Sequence, residues 1–395
     1  MREITSKLVG RNAVRQVAVA VSRLPVMAVI ALLAGPTLGA DGPQGITKPE
    51  IFAPFDPASP ACTAPVGLQP ALAYVQQNDR EFLEGVSQGL SLAARDRGLA
   101  YKRIIVGDDA EAAAGAIRQF TADKVGAIIA TSSNPNVVAP DLQAAIWAGE
   151  FVGTIVPPPA TLLLNAPQYE TGRVLADAAV AYIEDKLGGK ASVVLLTQDS
   201  MQYLAPRFVA IRKEVAQLSG VDVVADLSPD PVSKQGGYEA MNTVLAANLR
   251  VDVVLGADSV VLGALRALRE AHRDRPDQFL GGIDGEPEAI AEIRKGDSPY
   301  KASIALSSPV FGYAMGTYGA DWLAGKSIPQ AMDILPIAIT HENMSRYEAD
   351  LQDPASVFKD PARRATYLRM YGNICYDSRD RYVNFPWSSE SGAPG

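Results

Sequence analysis

Histidine is nearly missing from this chain: His272 and His341 are the only two in 395 residues. Histidine-based metal sites and proton relays have little to work with. Cysteine is as scarce, with Cys62 and Cys375 alone, too few for a clustered thiolate site. No basic tract interleaved with aromatics occurs, and a formal net charge of −8 argues against a nucleic-acid surface. A glycine-rich phosphate loop of working spacing, a Gly-x-Ser-x-Gly elbow and an HExxH pair are absent too. The sequence therefore signals no enzyme, metal or cofactor. What is present is ordinary globular composition, 48% hydrophobic and 20% charged. The length is too great for one small core and predicts two domains.

The first 40 residues read as an export signal. Arg2, Lys7, Arg11, Arg15 and Arg23 form a basic region, "LPVMAVIALLAG" an apolar core, and "TLGA" a small-residue end, with cleavage expected after Ala40. The apolar run is well short of the ~20 residues that span a bilayer. Removal takes away five basic residues and one acid, leaving a charge of −12. Two cysteines in an exported chain are most simply one disulfide, Cys62 to Cys375; two unpaired thiols are the alternative, which an oxidising compartment disfavours.

After a proline-rich entry (43–65), continuously apolar runs alternate with amphipathic segments. Strands are expected at 72–77, 102–107, 126–131, 151–157, 191–198, 221–227, 251–256, 279–284 and 301–306. Helices are expected at 80–97, 110–123, 137–148, 169–187, 204–219, 233–248, 259–271, 286–294 and 309–324, with Gly98, Gly188 and Gly220 as C-caps. Apolarity on both faces and strict alternation predict parallel sheets with right-handed crossovers. Nine such units are too many for one sheet, and "VPPPATLLLNAPQY" (156–169) is the natural interruption. The expected fold is α/β, two doubly wound parallel-sheet lobes joined by a hinge. The tail after about residue 342 reads as irregular, wrapping the surface and fraying from Ser388.

Ligands of such sheets bind beyond the carboxyl ends of the strands. In the first half those ends offer Gln77, Asn78, Asp79 and Arg80, then Asp108 and Asp109, Ser132, Ser133 and Asn134, and Pro157 and Pro158. The second half offers Gln198, Asp199, Asp226, Asp258 and Asp284, with Arg207 early in a helix. Carboxylates, amides and arginines suit hydroxyl-rich ligands, because a hydroxyl both donates and accepts. Phe82, Tyr169 and Tyr203 could supply apolar faces.

The stretch "VDVVLGADSVVLGALRALREA" followed by "FLGGIDGEPEAIAEIRKGDSPYKASIAL" resembles the type I periplasmic solute-binding proteins of the ribose- and galactose-binding branch. The resemblance spans roughly 72–340 and is strongest over 250–306. It implies a periplasmic protein that captures a sugar, polyol or less polar relative and delivers it to an ABC permease in the inner membrane. The alternative is a ligand sensor that docks on a membrane receptor or sensor kinase. It also implies contacts from Asp284, Arg207 and Phe82. Asp258 matches the Asp of the family's Asn-Asp, but Ala257 stands where the contacting Asn would be. Pro157-Pro158 replaces an Asp-Arg pair, and Leu306 replaces an amide. These three losses point to a smaller, less polar or differently oriented ligand.

Each candidate has a plainer reading. Asp258 is expected to cap its helix, with ligand contact as the second reading. Asp284 could also cap, and Arg207 could pair with a surface carboxylate such as Glu214. Asn78, Asp79 and Arg80 fit a turn and cap. The candidate binding set is Asp284, Arg207, Phe82, Asp258, Asn78, Asp79, Arg80, Asn134 and Tyr203. The expected domains are a signal (1–40), an extension (41–70), an N-terminal lobe (71–168 and 307–334), a C-terminal lobe (169–306 and 335–345) and a tail (346–395). Hinge segments are expected at Pro158 to Tyr169, Leu306 to Pro309 and Ile334 to Pro336. A monomer is expected.

Overall fold

A computed structural model describes residues 45–155 and 158–390; the expected export signal, Pro157 and the last five residues lie outside them. The chain begins β1 (Gln69–Gln76), α1 (Glu81–Asp96), β2 (Ala100–Ile105), α2 (Ala110–Ala122), β3 (Val125–Ala130), α3 (Pro135–Ala148), β4 (Phe151–Ile155) and β5 (Leu162–Asn165). It continues α4 (Gln168–Leu187), β6 (Ala191–Leu196), α5 (Ala205–Val215), β7 (Val221–Leu227), α6 (Lys234–Ala246), β8 (Val253–Gly256), α7 (Asp258–Glu270), β9 (Phe279–Ile283), α8 (Pro287–Arg294) and β10 (Tyr300–Leu306). Then come α9 (Ser308–Leu323), β11 (Ala331–Ile334), β12 (Pro336–Thr340), α10 (Met344–Gln352), α11 (Pro354–Lys359), α12 (Pro361–Tyr367), β13 (Leu368–Tyr371) and a 3-10 turn (Tyr376–Arg381).

The strands form two sheets, ordered β13-β11-β5-β4-β3-β1-β2 and β12-β10-β9-β8-β6-β7. Each is parallel except at one end, where β13 runs antiparallel to β11 and β12 antiparallel to β10. The apolar runs are continuous because successive residues face different helical layers. Val193 and Leu195 pack with α4 and α5, while Val194 and Leu196 join the cluster of α6 and α7. A strand covered on both sides has no polar face to offer, which is why it does not alternate. Short polar residues start the helices: Asp109, Asn134 and Ser233 accept from free amides of α2, α3 and α6.

The chain passes between the sheets four times, through residues 166–167, Ser307, Leu335 and the segment of α10–α12 that links β12 to β13. The first three fall within segments expected to carry a hinge, and the fourth does not. Two of them leave the carboxyl ends of β5 and β10, so both sheets turn those ends toward the same junction.

Two expectations are corrected. The tail is not irregular: three helices, a strand and a 3-10 turn occupy 344–381, and Ser389 and Glu390 still make hydrogen bonds. Its helices are anchored by Met344, Tyr347, Val357, Phe358 and Tyr367 in the main core, and its end by Val383, Phe385 and Trp387, which pack with Phe52, Ala160, Leu163 and Ala331. Gly220 is not a C-cap, since α5 ends five residues earlier; a side chain there would strike the Gly189 carbonyl.

Cys62 and Cys375 are bridged across a sequence separation of 313 residues, with Cα atoms 6.1 Å apart. The bridge ties the extension to the tail, alongside Thr63 N–H donating to Asp377. Closing so long a loop restricts the unfolded chain strongly. Replacing both cysteines by serine should lower stability by about 2–5 kcal/mol, read as the urea midpoint; an unchanged midpoint would contradict the tie.

Candidate ligand-binding site

The carboxyl end of the second sheet is organised around one strained turn. The chain leaves β9 through Asp284, φ +122°, and Gly285, φ +72°. A carboxylate side chain in that region is held there against its own preference. Three consecutive amides show what holds it. Asp284 N–H donates to the Ile304 carbonyl at 2.8 Å, Gly285 N–H to Ser303 Oγ at 3.1 Å, and Glu286 N–H to Asp258 Oδ2 at 2.8 Å. The Asp284 side chain keeps 49% of its surface accessible. Surrounding protein still raises its carboxyl above the ordinary value, against the pull of Arg207. The group is thus accessible to solvent yet partly surrounded by protein.

Arg207, in the first turn of α5, is 7% exposed. Its Nε donates to Gln168 Oε1 at 2.5 Å, and Nη1 lies 3.5 Å from Asp284 Oδ1. Burial lowers its pKa and Asp284 opposes the shift, so it stays charged. Gly172 makes this placement possible, because any Cβ there would collide with the Arg207 backbone carbonyl. The pairing with Glu214 considered above does not occur; Asp284 is the partner.

Asp258 departs from both of its readings. It is the first residue of α7, the N-cap is Ala257, and no side chain caps the helix. The carboxylate is fully buried and turned inward, where Oδ1 accepts from Tyr300 OH at 2.6 Å and Oδ2 from Ser303 Oγ at 2.6 Å as well as from Glu286. A buried carboxylate needs donors more than a helix end does, and β10 supplies them. Burial lifts its pKa to about 7, against those hydrogen bonds. Asp199 and Asp226 are also occupied, both by Arg212, with contacts of 2.5 and 2.6 Å. Tyr203 is 70% exposed, four residues before Arg207.

On the first sheet, Asn78, Asp79 and Arg80 follow β1, and Asn134 follows the neighbouring β3. Asn78 Oδ1 accepts from Arg80 N–H at 3.0 Å, a turn rather than a cap. Asp79, Arg80 and Asn134 are exposed, and Asn134 Oδ1 takes the Asn136 amide at 3.2 Å. Phe82 is half-buried on α1 and packs against the core. Gln77 donates to Asp108 Oδ1 at 2.7 Å and Ser133 Oγ to the Asp108 carbonyl at 2.8 Å, which stiffens this rim.

Sequence reasoning missed Gln168, Tyr300, Ser303 and Arg212. A serine inside the apolar run "KASIAL" was the available signal, since a buried hydroxyl requires a partner. Gln168 carried no signal beyond its place at a helix start. A cavity of about 580 Å³ lies elsewhere, by Tyr182, Phe279, Lys301 and His341 at the amino ends of β9 and β10. Among the described residues no group of three or more His, Cys, Asp or Glu could hold a metal ion.

Asp258 has a pH signature. The folded chain keeps its proton up to about pH 7, whereas an unfolded aspartate releases it near ~4. Between those values the folded state binds more protons, so this contribution to stability falls as pH rises and is level outside the window. The stability advantage of wild type over Asp258→Asn should therefore shrink between about pH 4.5 and 7.5, measured by urea unfolding. A constant difference would refute the assignment.

Residues 71–327 match the periplasmic binding protein domain. A Rhizobium meliloti protein described as rhizopine-binding is 25% identical over 165 residues, 40% of this chain and 52% of the relative. This chain thus spans about half the length of that curated relative. Among solved structures, a periplasmic ribose ABC transporter protein from Conexibacter woesei superposes with a TM-score of 0.60 at 18% identity, over 77% of this chain and 99% of the other. An ABC transporter solute-binding protein from Bacillus halodurans with bound myo-inositol gives 0.57 at 17% identity, over 71% and 98%. The two sheets and the matched domain lead to one conclusion: this chain belongs to the periplasmic binding protein family.

Proposed function

We propose that this protein captures a small hydroxylated solute in the periplasm, a sugar, a polyol or a less polar relative, and delivers it to an ABC importer. The observation that carries this reading is the Arg207–Asp284 pair, a buried cation and an accessible carboxylate set on a strained turn at the carboxyl ends of the second sheet. Backbone strain held by three separate hydrogen bonds is a mark of a functional position. A ligand hydroxyl placed there donates to Asp284 and accepts from Arg207. Asn78, Asp79, Arg80 and Asn134 supply polar groups from the opposite lobe, with Phe82 and Tyr203 as apolar faces. Pro158, Ala257 and Leu306 add none, which favours a ligand with fewer hydroxyls than a hexose.

Closure about residues 166–167, 307 and 335 removes the ligand from water, so hydrogen bonds from both lobes stabilise the closed form selectively. The matching of the chain to a solute-binding family, and structures of that fold with bound polyol, support the reading. The importer is the expected recipient of the closed form.

The test is a thermal-shift screen of refolded, ligand-stripped protein against D-ribose, D-allose, myo-inositol and less polar alcohols. A ligand at 100 times its Kd adds about 2.7 kcal/mol of apparent stability. Asp284→Asn, whose side chain tolerates positive φ, should weaken the hit by at least about tenfold with little change in the ligand-free melting temperature. Undiminished affinity in that variant would place the ligand elsewhere.

A further inference from the structure

The chain beyond the family match at residue 327 returns to the junction between the lobes. β13 pairs with β11 of the first sheet. Val383 exchanges backbone hydrogen bonds of 2.9 Å with Ala160. Trp387 stacks on Phe52 at 5.5 Å between centroids, lies 5.1 Å from Tyr371, and donates to the Glu50 carbonyl at 3.0 Å. From β13 to Trp387 the tail is thus anchored mainly on the N-terminal lobe, with Arg369 reaching Glu170 of the other.

Three residues later Glu390 makes a further contact with the other lobe. The Glu390 carboxylate accepts from the amides of Tyr169 at 3.2 Å and Glu170 at 2.8 Å, at the start of α4. α4 packs on α5 and the second sheet. Its own N-cap is Pro167, which has no side-chain acceptor to offer. A helix start leaves amides without intrahelical partners and favours an anion; Glu390 supplies both needs from more than 200 residues away in sequence. Neighbouring contacts fix the same spot. Ser389 Oγ lies 3.4 Å from Asn165 Nδ2, which also donates to the buried Asp333 at 2.7 Å. Arg369 sits 3.6 Å from Glu170 and 4.0 Å from Asp333, offsetting the charge of three adjacent carboxylates.

The residue just before the capped amides is Gln168, whose Oε1 receives Arg207 Nε, and Arg207 in turn faces Asp284. We propose that Glu390 is a positioning residue for the ligand site: from a tail anchored mainly on one lobe, its carboxylate caps the helix of the other lobe whose first residue aims Arg207. The tail then sets both the resting junction at the first crossing and the orientation of the guanidinium. The inference rests on reading Arg207 and Asp284 as the ligand site, but its test uses no ligand.

The full-length mature chain carrying Glu390→Ala is compared with wild type and with Gln168→Ala. Hydrogen exchange reads the capped amides, and phenylglyoxal labelling followed by mass spectrometry reads the accessibility of the Arg207 side chain. In Glu390→Ala, exchange over 168–172 should rise about fivefold, the usual effect of a lost N-cap, and Arg207 labelling should rise with it. Glu390→Gln, which keeps one carbonyl acceptor, should restore part of both. Gln168→Ala should expose Arg207 while leaving the amides of Tyr169 and Glu170 protected. Faster amide exchange with Arg207 labelling unchanged would reduce Glu390 to a simple cap. Wild-type exchange in Glu390→Ala would show that the contact is not made in solution. Either result overturns the proposal, whatever solute the protein binds.

Discussion

The buried carboxylate of Asp258 is the fixture from which the candidate ligand face of the second lobe hangs. An ionisable group taken fully out of water costs several kcal/mol, as a rough figure, unless donors surround it. The donors here are the Tyr300 and Ser303 hydroxyls and the Glu286 amide. Two stand on β10 and the third on the turn that displays Asp284, so satisfying Asp258 and shaping that turn are one condition. Electrostatics point the same way. The charge of Asp284 adds to burial in raising Asp258, and two neighbouring carboxylates resist ionising together. Burial raises both carboxyls, and at Asp284 the charge of Arg207 opposes it.

Arg207 is constrained as tightly from the other side. Gly172 allows α4 and α5 to meet backbone to backbone, which brings Gln168 within reach of Nε. A guanidinium has five donors in a rigid plane, so fixing Nε and one terminal nitrogen fixes the direction of the rest. The pair is therefore preorganised by its neighbours rather than by a ligand, which lowers the ordering cost that binding must offset.

The strand–helix rhythm was legible because most long elements keep to one pattern, with central strands apolar on both faces and most helices on one stripe. Nine strands and nine helices fall where periodicity predicts them, most within one to three residues. The four missed strands, β5, β11, β12 and β13, have four or five residues each, too few to show a period. β5 hides within the proline-rich interruption, and the other three are joined by one residue or separated by helices too short to carry a stripe. The binding candidates were legible only as strand-end positions. Asp284 and Arg207 meet as residues of opposite charge should, yet nothing local announces that Asp258 turns inward. Its donors lie 28 to 45 residues away, and only the sheet order brings them together. Gln168 and Glu390 are further cases: their roles come from where α4 and the tail end up, not from their neighbours in sequence.

Three of the four crossings are short. β11 and β12 are separated by Leu335 alone, β10 and α9 by Ser307, and β5 and α4 by two residues. Each residue of chain spans at most about 3.6 Å, so such links permit rotation but little separation. The first and third crossings are joined on the N-terminal side, where Asn165 donates to Asp333 at 2.7 Å and Tyr371 OH to the same carboxylate at 2.9 Å. Asp333 is fully buried at that point, and breaking either bond would strand a polar group. In the proposed closure, bending is thereby displaced beyond Asn165 and Ile334, onto 166–167 and Leu335, with Pro167 and Pro336 restricting φ on the far side of each. Glu390 reaches across this same narrow zone. In the closure proposed above, a tail seated there lies on the pivot itself.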